Sequence, residues 1–174
     1  MPSWFIGKIR YQKTDDSVAV DTKNEGSPEA PKQKTINETY LIDAVSYTDA
    51  EARLYRIVAD NTPEFEITAI RPQRFSDVFH IEGGDNWYKC KTFYITEDDK
   101  GRAKKVLSTM LINGSSLREA HQRLIDNLST MLVPVEITDI NLTPILEVVP
   151  YEALETELPA NFKPVVKAEV AVEA

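Results

Sequence analysis

The feature that most constrains this chain is a set of blocks that occurs twice in the same order. Trp4-Phe5-Ile6-Gly7-Lys8-Ile9-Arg10-Tyr11 lies over Trp87-Tyr88-Lys89-Cys90-Lys91-Thr92-Phe93-Tyr94. Thr48-x-x-Glu51-Ala52 lies over Ser116-x-x-Glu119-Ala120, and Glu66-Ile67-Thr68-Ala69-Ile70 over Glu136-Ile137-Thr138-Asp139-Ile140. Phe75, Val78 and Phe79 lie over Ile145, Val148 and Val149. Each block alone is generic, and any two ββαββ stretches share some of this pattern. Four blocks in one order point to a unit written twice.

Periodicity supplies the elements. Residues 4–12 and 34–44 alternate as strands, with Trp4, Ile6, Lys8 and Arg10 on one side and Phe5, Gly7, Ile9 and Tyr11 on the other. Thr48-Asp49-Ala50-Glu51 is a capping box that opens a helix over about 49–60, with Ala50, Leu54, Ile57 and Val58 on one face. Residues 65–71, 75–81, 87–96 and 103–113 read as four consecutive strands, with Pro72 between the first two and Glu82-Gly83-Gly84-Asp85-Asn86 as a hairpin turn. A second capping box, Ser116-Leu117-Arg118-Glu119, opens a helix over 117–128, and strands at 133–142 and 145–151 follow. The expected fold is α+β: two ββαββ units forming antiparallel sheets, with both amphipathic helices on one face. The units span 1–82, with a flexible loop at 14–33, and 83–151; 152–174 reads as a mildly acidic flexible tail suited to a protein partner.

Composition narrows the function. A formal net charge of -8 excludes a globally basic nucleic-acid binder but leaves room for a local basic face. The single cysteine, Cys90, allows no internal disulfide, and no apolar run is long enough to span a membrane. The expected location is the cytoplasm. His80 and His121 have no partner at metal spacing, Gly83-Gly84 is not followed by a phosphate-loop signature, and the acidic residues are scattered. No catalytic residue, metal or cofactor is expected, and a non-enzymatic role is.

What stands out is basic and aromatic. Trp4, Lys8 and Arg10 share a face of the first strand, and Trp87, Lys89, Lys91 and Phe93 share a face of its counterpart. Arg71 lies beside them on a central strand. Rings on a sheet interleaved with cations can stack unpaired bases and hold phosphates. The leading expectation is therefore single-stranded nucleic-acid (DNA) binding through Trp4, Lys8, Arg10, Arg71, Trp87, Lys89, Lys91 and Phe93. The blander expectation is that the tryptophans are core and the cations a solvated face. The competing function is a protein-interaction or assembly module that uses the same face toward a partner or a second copy.

Two resemblances add to this. Trp4-Phe5…Lys8…Tyr11, Tyr40-Leu41-Ile42-Asp43-Ala44 leading into Thr48-Asp49-Ala50-Glu51-Ala52, and Trp87-Tyr88-Lys89 together resemble an uncharacterised family of small proteins from gut anaerobes and their phages, over residues 1–151. That resemblance implies a phage or mobile-element setting, hence host cytoplasm, and no established function. In topology alone, four antiparallel strands followed by a helix are similar to Whirly-type and transcriptional-coactivator-type single-stranded DNA-binding folds. Fold analogy of this kind carries no binding residue across.

Overall fold

The computed structural model describes residues 3–14, 32–62 and 64–151. These residues form eight strands and two helices: β1 (Ser3–Thr14), β2 (Gln33–Ala44), α1 (Tyr47–Ala59), β3 (Glu66–Gln73), β4 (Asp77–Phe79), β5 (Asn86–Glu97), β6 (Ala103–Gly114), α2 (Leu117–Leu128), β7 (Glu136–Leu142) and β8 (Ile145–Val149). Thr14 and Gln33, the two ends of the expected loop, pair across the β1–β2 hairpin. The rest of that loop and the expected tail lie outside the described residues.

The strands make two four-stranded sheets, ordered β3-β1-β2-β8 and β4-β6-β5-β7. Both are built on a long antiparallel hairpin whose strands have 12 residues each, β1–β2 in one and β5–β6 in the other. β3 then returns antiparallel to β1, as β7 does to β5. In both sheets that return carries a register shift at the same place, between Lys8 and Ile9 and between Lys91 and Thr92. The Thr68 and Thr138 hydroxyls donate to the Lys8 and Lys91 carbonyls there. These are the threonines of the repeated Glu-Ile-Thr block.

The last strand of each half leaves its own sheet. β4 lies parallel to β6 of the second half, and β8 lies parallel to β2 of the first. The four strands between the helices are therefore divided between two sheets, and each otherwise antiparallel sheet carries one parallel pair. This corrects the expected antiparallel run and, with it, the topological likeness to Whirly-type and coactivator-type folds. The reason lies in β4, which has only three residues. Val78 packs into a cluster shared by both sheets and Phe79 into the cluster under α2, so the strand is buried on both faces when it joins the second sheet. An apolar strand of this length carries no signal of its partner's direction.

Burial falls into three clusters. Phe5, Ile9, Tyr40, Ile42 and Ile70 of the first sheet pack against Ala50, Leu54 and Val58 of α1. Tyr88, Cys90, Met110 and Ile112 of the second pack against Ala120, Leu124 and Leu128 of α2. The helices thus cover separate sheets. The third cluster lies between the sheets: Leu41, Ile145 and Val148 from one meet Trp87 and Leu111 from the other, with Trp4, Ile6, Phe75 and Val78 around them. At roughly 1.5–3 kcal/mol per fully buried large apolar side chain, this seam is a substantial share of the stability.

Each helix starts at a serine. Ser46 and Ser116 accept from the Asp49 and Glu119 amides, and the two carboxylates accept from Val45 N and Ser115 N. The expected cap at Thr48 is therefore two residues late. Ser46 offers the same side-chain acceptor with Asp49 three residues on, and it places Ala50, Leu54 and Val58 toward the sheet. Gly7 explains how closely α1 lies on β1, since a Cβ there would come within 2.7 Å of Leu54 Cδ2. The equivalent position in the second sheet holds the small side chain of Cys90, fully buried.

Candidate binding surface on the hairpin arms

Both long hairpins start in the central cluster and run outward from it. They form two arms, each with a helix-covered inner face and an outer face that is buried near the cluster and open beyond it. Register fixes the outer faces. On the second arm Trp87, Lys89, Lys91, Phe93 and Ile95 of β5 stand opposite Asn113, Leu111, Thr109, Leu107 and Lys105 of β6. On the first arm Trp4, Ile6, Lys8, Arg10 and Gln12 of β1 stand opposite Asp43, Leu41, Thr39, Asn37 and Thr35 of β2.

The two tryptophans belong to the buried end. Trp87 is only 5% exposed, packed among Leu41, Leu111, Ile145 and Val148 and tilted against the His80 ring at 5.4 Å between centroids. Its carbonyl accepts from both the amide and the hydroxyl of Thr143. A ring so enclosed has no free face for a base, which corrects its expected role as a stacking platform. Trp4 is half-buried against the same cluster. The repetition of Trp in both halves is explained by the seam between sheets.

Of the other expected site residues, Lys8, Arg10 and Arg71 come together on the outer face of the first sheet, where Ile6 pairs with Arg71 and Arg10 with Glu66. The Arg10 guanidinium donates to Glu66 Oε2 at 2.6 Å. The pair is solvent-exposed, so it contributes little to stability, but it neutralises one of the three cations. Lys89, Lys91 and Phe93 share the outer face of the second arm. Across from them β7 places Asn141, Asp139 and Glu136, so this basic row is flanked by carboxylates.

The open end of the second arm holds apolar residues that sequence reasoning missed. Leu107 is 73% exposed and stands directly opposite Phe93; Ile95 is 53% exposed and stands opposite Lys105. The Lys105 ammonium lies 3.9 Å from the centroid of the Phe93 ring. Phe93, Ile95 and Leu107 thus form an apolar patch between Lys91 and Lys105. The signal was available in β6, where Lys105, Leu107, Thr109 and Leu111 alternate with Val106, Ser108, Met110 and Ile112, but the exposed side becomes evident only once the register is known. At the matching positions the first arm carries Arg10, Gln12, Asn37 and Thr35.

The inner face of the first arm has its own polar feature. Glu38 accepts from the hydroxyls of Tyr11 and Tyr40 at 2.8 and 2.7 Å. Its hydrogen bond holds Tyr11 above the usual phenol range, and burial, reinforced by Glu38, pushes Tyr40 far above it. Both phenols therefore stay protonated at physiological pH. Burial pushes the Cys90 thiol up to about 11, which makes it a poor nucleophile. Among the described residues no group of three His, Cys, Asp or Glu side chains is placed to hold a metal ion, and no helix is long and apolar enough to cross a membrane.

Comparison with known proteins adds a family. The model of a domain of unknown function, DUF4494, matches residues 3–151. The chain belongs to the DUF4494 family. The match runs once through both halves, so the DUF4494 unit includes both sheets and both exchanged strands. No curated protein and no solved structure matches this DUF4494 chain.

Proposed function

We propose that this protein is a non-enzymatic binding module whose working surface is the open outer face of the second arm, and that its partner is a protein segment that is apolar and acidic. The observation that carries this reading is the apolar patch of exposed Ile95 and Leu107 with half-buried Phe93, held between Lys91 and Lys105. Exposed apolar side chains grouped on one strand face are what partner surfaces are made of. The flanking cations favour a partner of opposite charge, and the first arm, with the same backbone register, has no such group. In the phage or mobile-element setting that the sequence resemblance implies, the partner would be met in the host cytoplasm.

Single-stranded nucleic acid is the second reading, supported by Lys89, Lys91 and Phe93 on one face. It is the weaker one because both tryptophans are engaged in the seam, aliphatic side chains outnumber free rings on the patch, and Asp139 and Glu136 border it. Leu107→Glu and Lys91→Ala separate the two. For a protein partner, retention of the partner from host extract is lost with Leu107→Glu and unchanged with Asn37→Glu on the first arm. A labelled single-stranded oligonucleotide that binds at low salt, falls off steeply with added salt and is released by Lys91→Ala but not by Leu107→Glu would replace this reading with the nucleic-acid one.

A further inference from the structure

Where each exchanged strand ends, the receiving half holds it with one side chain from the end of its second strand and one arginine from its helix. In the second half these are Asn113 and Arg123. Asn113 Oδ1 accepts from Ile81 N at 2.9 Å while its Nδ2 donates to the Ile81 carbonyl, so the amide grips both sides of one residue just past β4. Arg123 donates to the Asn113, Glu82 and Gly83 carbonyls and to Glu119. In the first half the same register position, opposite Trp4 as Asn113 is opposite Trp87, holds Asp43. The Tyr151 backbone, just past β8, lies close enough to the Asp43 carboxyl to favour its ionised form. Arg53 donates to the Tyr151 carbonyl and to Asp49, and its guanidinium lies 3.9 Å from the centroid of the Tyr151 ring.

The two corners differ in one atom. The nitrogen of Asn113 is a donor; the corresponding second oxygen of an ionised Asp43 is not. In the structure Asp43 Oδ1 is buried with no hydrogen-bond partner. We propose that Asp43 is a proton-operated latch on the exchanged strand β8: ionised, it grips the Tyr151 backbone through one oxygen, and protonated, it grips through both, as Asn113 grips Ile81. The step is a simple protonation, with the added proton shared between Oδ1 and the Tyr151 carbonyl. Of the charged groups facing the carboxyl, Arg53 favours the ionised form and Asp49 the protonated one, and Trp4 beside it on β1 carries no charge. Burial outweighs the rest and holds the Asp43 carboxyl above its ordinary value. A carboxyl raised in the fold takes up its proton before the unfolded chain does, so this corner tightens as pH falls toward the ordinary carboxylate range. Residues 152–174 follow directly on Tyr151, so the latch also governs how firmly the chain is held where they begin.

The test is amide hydrogen exchange of β8 and Tyr151 in the full chain, corrected for intrinsic rates and compared with β4 in the same molecule. Asp43→Asn should slow exchange of Tyr151 and β8 at neutral pH by about five- to tenfold, the size of one net hydrogen bond, and should remove its dependence on pH. Asn113→Asp should transfer the dependence to Ile81 and β4. Exchange of Tyr151 and β8 in Asp43→Asn that is as fast as in the parent at neutral pH, or that still slows on acidification, would overturn the latch whether or not Asn113→Asp folds.

Discussion

The two arms have the same backbone and opposite surfaces. Register, the irregularity just after Lys8 and Lys91, the threonine that caps it and the helix that covers the inner face all recur. Yet where the second arm carries half-buried Phe93 and exposed Ile95, Leu107 and Lys105, the first exposes Arg10, Gln12, Asn37 and Thr35. Positions that face the helix or the seam remain apolar in both halves, because packing leaves them little choice. Positions beyond the seam have no such constraint, so an apolar group there requires a reason other than folding. The contrast is the ground for proposing the working surface on the second arm, with the first as its internal control.

The largest expected effects come from breaking what the halves share. Leu54→Ala and Leu124→Ala each remove a fully buried anchor of one helix and should cost about 2–5 kcal/mol. Because β4 and β8 are exchanged, either change should destabilise both halves together. Urea unfolding followed by tryptophan emission and by circular dichroism should give one coincident transition, and two separated transitions would show the halves to be independent. Next come the corner arginines. Arg123 holds three backbone carbonyls and Arg53 holds one with a ring beneath it, so Arg123→Met should lower the urea midpoint more than Arg53→Met, by about 1–2 kcal/mol. Equal losses would mean that the extra carbonyl contacts are worth nothing.

Effects of comparable size sharpen the comparison at the helix contact. Gly7→Ala pushes a methyl group to 2.7 Å from Leu54 Cδ2 and should cost roughly 1–3 kcal/mol by overpacking, whereas Cys90→Ala at the matching position should cost less. The smallest expected stability change is that of Leu107→Glu, within about 0.5 kcal/mol, since the side chain is exposed; a large loss would show Leu107 to be structural and remove the ground for a binding patch.

Much of this was legible in the sequence. Alternation gave β1, β2, β5 and β6 nearly to the residue, and the repeated Glu-Ile-Thr blocks marked two strands that pair identically. The exchange of β4 and β8 was not legible, because Val78 and Phe79 point to different cores and read the same whichever neighbour they pair with. The core role of Trp87 was ranked second for a related reason. Lys89 and Lys91 share its face and suggested solvent, but that face is buried at one end and open at the other, and alternation reports the side of a residue without its distance along the arm. The same limit concealed Leu107, which reads as an ordinary strand leucine until the register places it opposite Phe93 at the open end.

The most direct measurement places a photo-crosslinking amino acid at position 107 and, separately, at position 37, with irradiation in cell extract and identification of the adducts by mass spectrometry. The expected result is a discrete protein adduct at 107, rich in acidic and apolar residues at the attachment site and suppressed by Lys91→Ala with Lys105→Ala, with none at 37. Adducts of equal yield at both positions, nucleic acid as the adduct at 107, or none at either would contradict a protein-binding surface confined to the second arm.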